Sequence, residues 1–200
     1  SGTSGKPKGV VYHHRGAYLM AMGTIPVWSL PAHPRYLYTV PLFHCNGWGH
    51  AWMMAIVAGT IICCRKIAAD TIFGLIQEHK VTHFGGAPIV LSMLVNAEEE
   101  IKCSPSWDVQ VMTAGAPPPA AILEKVEALG FTVTQVYGLT ETYGHLTHCA
   151  WNSDWDALDF GQKAEIKARQ GVNFSHTEAI QVLNQETGQP VAANGEEMGE

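Results

Sequence analysis

Short runs rich in β-branched and aromatic residues alternate with longer stretches at helical spacing over most of this chain, and few folds accept that order. Tyr36–Val40, Thr60–Cys64, Val81–Phe84, Val109–Ala114 and Phe131–Val136 read as strands. Between and before them lie helical stretches. His14–Trp28 is rich in Ala, Met, Leu and Tyr. Asp70 can cap a helix through about His79, with Ile72, Leu75 and Ile76 on one face. Pro88 suits the first turn of another, followed by Ile89, Met93 and Leu94, and Gly130 closes a helix over Ala120–Leu129. Trp48–Ala58 is apolar enough for a helix buried all round. The order predicts an α/β fold: layered sheets of mostly parallel strands with flanking helices. The tail breaks the pattern. Residues 151–170 read as a loop and then an amphipathic stretch, Glu178–Leu183 as a strand, and Glu186–Gln189 as a turn.

In an open sheet of parallel strands, ligands sit at the strands' carboxyl ends. Two of the predicted strands run into unusual segments. Thr113–Pro118 (TAGAPP) offers small residues that allow close backbone approach to a flat ring, or a plain strand-to-helix turn. Tyr137–Thr142 (YGLTET) offers an aromatic ring to stack, a hydroxyl to reach a phosphate and a carboxylate to hold Mg²⁺, or simply a polar loop capping a helix. At the start, SGTSGKPKG packs glycines, three hydroxyls (Ser1, Thr3, Ser4) and two lysines (Lys6, Lys8) into nine residues. Glycine lets the backbone turn its N–H groups toward a ligand, and lysine supplies charge. Pro7 after Gly5 and Lys6 excludes a Walker A loop, which needs Ser or Thr after the lysine. A cationic surface turn would read the same way. Pro41–Trp48 (PLFHCNGW) sets His44, Asn46 and Trp48 around Gly47, ahead of the apolar stretch. His44, Cys45 and His50 fit no ordinary zinc spacing. Trp48 as core and His44 as a satisfied buried histidine is the packing alternative.

Composition removes several function classes. Hydrophobic residues make up 46% and charged residues 15%, a globular balance. The net charge is −6 and no Lys/Arg cluster occurs, so no nucleic-acid partner is expected. Five cysteines without a CxxC pair argue against a disulfide framework and suit a reducing compartment, the cytoplasm or an organelle lumen. Val40–Cys64 carries no Lys, Arg, Asp or Glu, but Pro41, His44, Asn46 and His50 interrupt it, so no transmembrane segment is expected. The oligomeric state is not encoded in any visible pattern. Residue 1 opens directly into the glycine-rich loop, and the last residues read as a turn before a strand. The chain is expected to be an internal segment of a longer protein.

Together the segments SGTSGKPKGV, TAGAPP and YGLTE, in this order and with the last about 130 residues after the first, resemble the signature of the adenylate-forming (AMP-binding) superfamily. The resemblance covers essentially the whole chain. It implies that residues 1–200 are part of the large N-terminal domain of such an enzyme, without its small C-terminal domain. It implies ATP, Mg²⁺ and CoA as cofactor and co-substrates, with a small carboxylic acid as partner. Thr3, Ser4, Gly5 and Lys8 would contact the β- and γ-phosphates. Gly115, Ala116 and Pro117 would lie along the adenine, Gln135 would present its backbone near the adenine amino group, and Tyr137 would stack on the ring beside Gly138. Thr140 would serve the α-phosphate, and Glu141 with Thr3 would hold the metal.

PLFHCNGW resembles the fatty acyl-CoA synthetase pattern P-x-F-H-x-N-x-W. By that resemblance His44 lies beside the acyl carboxylate and acts in catalysis with Thr140 and Glu141. Trp48 gates the acyl tunnel, and Gly85, Gly86 and Ala87 leave room for the acid. Peptide-synthetase domains use an aspartate for the substrate amine instead, so the pattern favours a plain carboxylic acid. HCNGW, Arg65–Lys66, YGLTETYGH and Lys167–Gly171 resemble short- and medium-chain acyl-CoA ligases, among them 3-methylmercaptopropionate-CoA ligases and plant acyl-activating enzymes. An amino-acid or aryl-acid adenylation domain, and a non-catalytic nucleotide- or acyl-binding module, stay open as alternatives. The family's ribose-binding aspartate motif and its catalytic lysine have no counterpart in this sequence. The resemblance therefore implies that these 200 residues alone do not adenylate an acid at a useful rate.

Overall fold

Along β1 (Arg35–Tyr38) the three buried side chains alternate between two cores, as the two-residue period of a strand requires. Leu37 enters one core, and Tyr36 and Tyr38 enter the other. β4 (Val109–Thr113) behaves alike, with Val109 and Val111 on the first face and Met112 on the second. A computed structural model describes residues 5–116, 119–167, 169–192, 194 and 199.

Both sheet faces are covered because helices return on each side. α4 (Ala69–His79), α5 (Pro88–Val95) and α6 (Ala120–Ala128) bury Ile72, Phe73, Ile76, Leu91, Leu94 and Val126 on the first face. α1 (His14–Val27) and α3 (His50–Ile56) bury Ala21, Met53 and Met54 on the second. The remaining strands are β2 (Thr60–Cys63), β3 (His83–Gly85), β5 (Phe131–Leu139), β6 (Gly144–His148) and β7 (Val172–Asn173). They form one seven-stranded sheet in the order β2-β1-β3-β4-β5-β6-β7. β1 through β5 run parallel, and β6 and β7 are antiparallel additions at one edge. The expected mostly parallel α/β architecture is what the chain forms.

Three local expectations are corrected, and one alternative reading falls. The apolar stretch after Trp48 is not one helix from 48 to 58. Gly49, at φ +69°, separates a single turn, α2 (Cys45–Trp48), from α3, and α3 leaves Ala55 and Ile56 exposed. Asp70 does not cap α4. Ala68 holds the capping position, and the Asp70 carboxylate accepts from the Thr71 N–H within the first turn. YGLTE is not a loop leading into a helix. Its first residues extend β5, and Thr140–Thr142 is a 3-10 turn returning the chain into β6. Among the described residues Glu178–Leu183 forms no strand. Leu183 pairs with Pro190 across a turn in which the Asn184 side chain accepts from the N–H groups of Glu186 and Thr187. That turn matches the one expected at Glu186–Gln189. α7 (Phe160–Lys167) supplies the helix within 151–170.

Candidate active site

All but β2 of the parallel strands deliver their carboxyl ends to one cleft of about 990 Å³. Thr39 and Val40 follow β1, Ala87 follows β3, Ala114 and Gly115 follow β4, and Gly138–Glu141 end β5 and turn the hairpin. Even β2 contributes, through Ile67 a few residues on. This is where an open α/β sheet offers a ligand exposed backbone N–H groups and converging loops. Gly5 and Pro7 of the glycine-rich loop close one side, and Phe43, His44, Cys45 and Trp48 the other.

The hairpin tip is held in place by the segment ahead of α1. The Tyr12 hydroxyl donates to the Thr140 carbonyl at 2.5 Å, and the His13 N–H donates to the Tyr143 hydroxyl at 3.0 Å. The Tyr12 and Tyr143 rings stack 4.3 Å apart. Gly16 is required for this packing, since a Cβ there would stand 2.4 Å from the Tyr143 ring. Burial, and then the neighbouring Cys45, push the Tyr12 phenol up to about 12, so it keeps its proton and stays a donor. At the tip, the Thr142 hydroxyl accepts from the Leu139 N–H at 3.0 Å and lies 3.0 Å from the carbonyls of Leu139 and Gly144.

The facing wall has an uncommon backbone. Cys45, Asn46, Gly47, Trp48 and Gly49 all have φ between +45° and +69°, a full left-handed turn. Left-handed backbone costs a non-glycine residue about 1–2 kcal/mol, so Cys45 and Trp48 carry strain that the two glycines avoid. Asn46 tolerates the region better than most residues. The turn is tied by Gly47 N–H to the His44 carbonyl at 2.8 Å and by the Tyr38 hydroxyl to the Gly47 carbonyl at 3.0 Å. Its effect is to aim the Trp48 indole inward, edge-on to His50 and His145. Cys45 Sγ meets Thr140 Oγ1 at 3.3 Å, so the two walls touch.

Of the residues expected from the sequence, the structure brings Gly5, His44, Trp48, Ala87, Gly115, Gly138, Thr140 and Glu141 to this cleft. It leaves Lys8 exposed nearby and does not place Ala116, Gly85, Gly86, Gln135 or Tyr137 in the lining. Thr3, Ser4 and Pro117 lie outside the described residues. Gln135 borders a second cavity of about 580 Å³, and its backbone carbonyl accepts from the Cys149 N–H at 3.0 Å. The room expected at Gly85 is filled by this chain itself: a Cβ there would approach Val40, the Tyr36 hydroxyl and His50 within 3.0–3.2 Å. Tyr12, His13, Tyr143 and His145 were not legible individually as site residues, and Cys45 and His50 entered only through a zinc spacing that did not fit. The signal was present for His50, a polar residue inside the uncharged run Val40–Cys64, which a fold must satisfy by burying it with a partner.

Among the described residues no cluster of three or more His, Cys, Asp or Glu could hold a metal. Glu141, the one carboxylate lining the cleft among the described residues, suits Mg²⁺, which takes most of its ligands from water and phosphate oxygens. No helix among the described residues is long and apolar enough to cross a membrane.

The sequence model for the AMP-binding enzyme matches residues 1–200. The chain is 46% identical over 201 residues to the acetate/butyrate–CoA ligase AAE7 of Arabidopsis thaliana, described as peroxisomal, covering all of this chain and 35% of that protein. It is 46% identical over 202 residues to the 2-methylpropanoate–CoA ligase CCL4 of Humulus lupulus, again all of this chain and 36% of the relative. The chain thus spans about a third of the length of the curated relatives it matches. Among solved structures, O-succinylbenzoate coenzyme A synthetase from Bacillus subtilis in complex with AMP superposes with a TM-score of 0.78 at 26% identity, over 96% of this chain and 37% of that one. The N-terminal domain of FACL13 from Mycobacterium tuberculosis gives 0.80 at 24% identity, over 96% and 45%, a likeness of fold. A cleft at the carboxyl ends of parallel strands, bordered by a glycine-rich loop and a Thr-Glu hairpin, thus coincides with a family match along the full chain: it belongs to the AMP-binding enzyme family.

Proposed function

We propose that the protein containing this chain activates a short- or medium-chain carboxylic acid with ATP and transfers the acyl group to CoA, and that residues 1–200 form part of its large N-terminal domain. The observation that carries this is the composition of the cleft at the carboxyl ends of the strands. One side has the glycine-rich loop and the Thr140–Glu141 tip, suited to phosphates and Mg²⁺. The other side has Phe43, Ile67, Ile89 and Val90 around His44, suited to a short apolar chain ending in a carboxylate. Relatives named as acetate, butyrate and 2-methylpropanoate CoA ligases support the small acid and the CoA acceptor.

The carboxylate oxygen attacks the α-phosphorus and releases pyrophosphate, giving an acyl adenylate. The CoA sulfur then attacks the acyl carbon and expels AMP. Mg²⁺, when bound, neutralises phosphate charge as it shifts to the leaving oxygens. Glu141 is the residue that would hold it. Gly5 and its neighbours turn backbone N–H groups to the same phosphates, and Lys8 adds a positive charge beside them. Thr140 sits where its hydroxyl can reach the α-phosphate, with its position fixed by Tyr12. His44 borders the apolar wall and orients the acid, while Trp48 shields that wall from water. Gly115 lines the cleft, where an adenine ring needs close backbone approach, and Gly138 lines it from the end of β5. The compartment is the cytoplasm or an organelle lumen, in keeping with five unpaired cysteines.

The test is a panel of acids, amino acids and aryl acids in a CoA-dependent AMP-release assay on the full-length enzyme. AMP released with small aliphatic acids is the expected result. Release only with amino acids, or none with any acid, would sink this reading.

A further inference from the structure

Behind the cleft wall lies a chain of buried polar groups that the reaction above does not use. The Gly85 N–H donates to the Tyr36 hydroxyl at 3.2 Å. That hydroxyl is 2.5 Å from His50 Nδ1, and His50 Nε2 is 3.3 Å from His145 Nε2. Tyr36 and His50 are fully buried, and His145 is 2% exposed, at the point where it lines the cleft beside Gly144 and Trp48.

The direction of this chain follows from donor and acceptor counting. Burial holds the His50 and His145 imidazoles well below the ordinary histidine range, His145 at about 3, so both are neutral near pH 7. A neutral imidazole has one N–H and one bare nitrogen. The Tyr36 phenol, raised by burial, keeps its proton. Its oxygen already accepts from Gly85, so a second accepted bond would leave a buried O–H with no acceptor, which is costly. The phenol therefore donates to His50 Nδ1. His50 then carries its proton on Nε2 and donates to His145 Nε2. That leaves the His145 proton on Nδ1. Among the described residues no protein group accepts from this nitrogen, since the hydrogen bonds of His145 run through Nε2 and its backbone carbonyl.

We propose that His145 presents Nδ1–H to the cleft as a neutral hydrogen-bond donor to a carboxylate oxygen of the acid substrate, in a tautomer set from behind by Tyr36 and His50. The proposal rests on the acid-activating reading of the cleft. A neutral donor suits that task. It orients the anion without the full charge pairing that would lower the nucleophilicity of the attacking oxygen. It is also buried, edge-on to the Trp48 indole, where a cation would have to be desolvated. His145 faces Gly138 across the hairpin, within the same stretch of β5 that leads to Thr140 and Glu141.

Two measurements on the full-length enzyme test this. The first is ¹⁵N NMR of the imidazole nitrogens in the unaltered protein. Expected is a protonated Nδ1 for His145 and a protonated Nε2 for His50, and the opposite pair of tautomers overturns the proposal. The second is a set of variants read as KM for the acid against KM for ATP. An asparagine amide falls near the position of Nδ1, and a glutamine amide near that of Nε2. His145→Phe and His145→Gln should raise KM for the acid about tenfold, with KM for ATP within about twofold. His145→Asn should restore most of the loss. Rescue by glutamine rather than asparagine, or equal changes in both KM values, would show that His145 only packs against His50. If the unaltered enzyme releases AMP with no acid, the functional reading falls and takes the acid with it, while the tautomers still decide whether a donor faces the cleft.

Discussion

The hairpin tip Thr140–Thr142 and the turn Cys45–Gly49 face each other across the same cleft and are built by opposite means. The tip is a 3-10 turn whose backbone shape is closed within a few residues, chiefly by Thr142, and Tyr12 and His13 only dock it against the segment ahead of α1. The turn is a run of left-handed backbone that no local sequence would choose, and distant groups hold it: Tyr38 from β1, and Met20 of α1 packed where a Cβ on Gly49 would fall. The tip therefore brings its chemistry with it, and the turn acquires its shape from the finished fold. Strain of this kind persists only where surrounding structure over-determines it, and here it points an indole at two buried histidines.

The largest expected effect strikes the seam where the two regions meet. His50 follows the turn, His145 follows the tip, and His83 lies near them under Trp28. Burial depresses all three, His83 to about 4 and His145 to about 3, and His50 well below its usual value. A histidine whose folded pKa is lowered contributes stability that is present above its unfolded value of about 6.5 and lost as pH falls toward the folded value. Each proton taken up on unfolding adds about 1.4 kcal/mol per pH unit, so three give a slope approaching about 4 kcal/mol per unit between pH 6 and 5, which flattens as His83 begins to titrate in the folded state. Urea unfolding followed by tryptophan fluorescence at pH 7, 6 and 5 measures it. A flat profile would mean that the cluster is open to water.

Next come substitutions that separate strain from chemistry. Gly47→Val adds a β-branched side chain at φ +61°, with its Cβ 2.3 Å from the Tyr38 hydroxyl, and should cost about 3 kcal/mol or more of stability. Glu141→Ala, at the exposed tip, should change stability by less than about 1 kcal/mol yet lower acid-dependent AMP release about a hundredfold or more. Unfolding midpoints and turnover on the same two proteins give the comparison. It breaks if Glu141→Ala unfolds the protein or Gly47→Val leaves the midpoint unchanged. Tyr143→Phe is milder. It removes the acceptor for the His13 N–H but keeps the ring stacked on Tyr12, so a loss of about 1 kcal/mol is expected, with a higher KM for ATP because the tip is less firmly tied.

The same contrast explains what could be read from the sequence. The parallel strands and their helices were legible because each carries its own periodicity: Val109 and Val111 inward on one face, Ile72 and Ile76 on one helix stripe. The tip was legible as a motif because Thr140 and Glu141 need no distant residue to be recognised. β6 was not legible. Gly144–His148 holds a glycine and two histidines, and it becomes a strand only by pairing with β5. Glu178–Leu183 shows the reverse case, a strand-like run that leaves Ile180 and Val182 exposed, because among the described residues nothing pairs along it beyond Leu183 with Pro190. The left-handed turn was legible only as composition. Gly47, Gly49 and Asn46 permit positive φ, but nothing within the segment requires it of Cys45 and Trp48.

The smallest expected effect is the sharpest on the tip itself. If its shape is local, it should depend on the Thr142 hydroxyl and on little else of that side chain. Thr142→Ser keeps an oxygen that can accept from the Leu139 N–H and donate to the Leu139 or Gly144 carbonyl, and should be neutral within about 0.5 kcal/mol. Thr142→Val keeps the shape and removes both functions, leaving the Leu139 N–H to solvent at an exposed position, so about 1 kcal/mol is expected. Because Leu139 N–H and Thr142 pin the turn that carries Glu141, the valine variant should also lower AMP release several-fold while the serine variant does not. Equal behaviour of the two in a parallel unfolding and turnover measurement would show that the tip, like the turn opposite, is held from elsewhere, through Tyr12 and Tyr143.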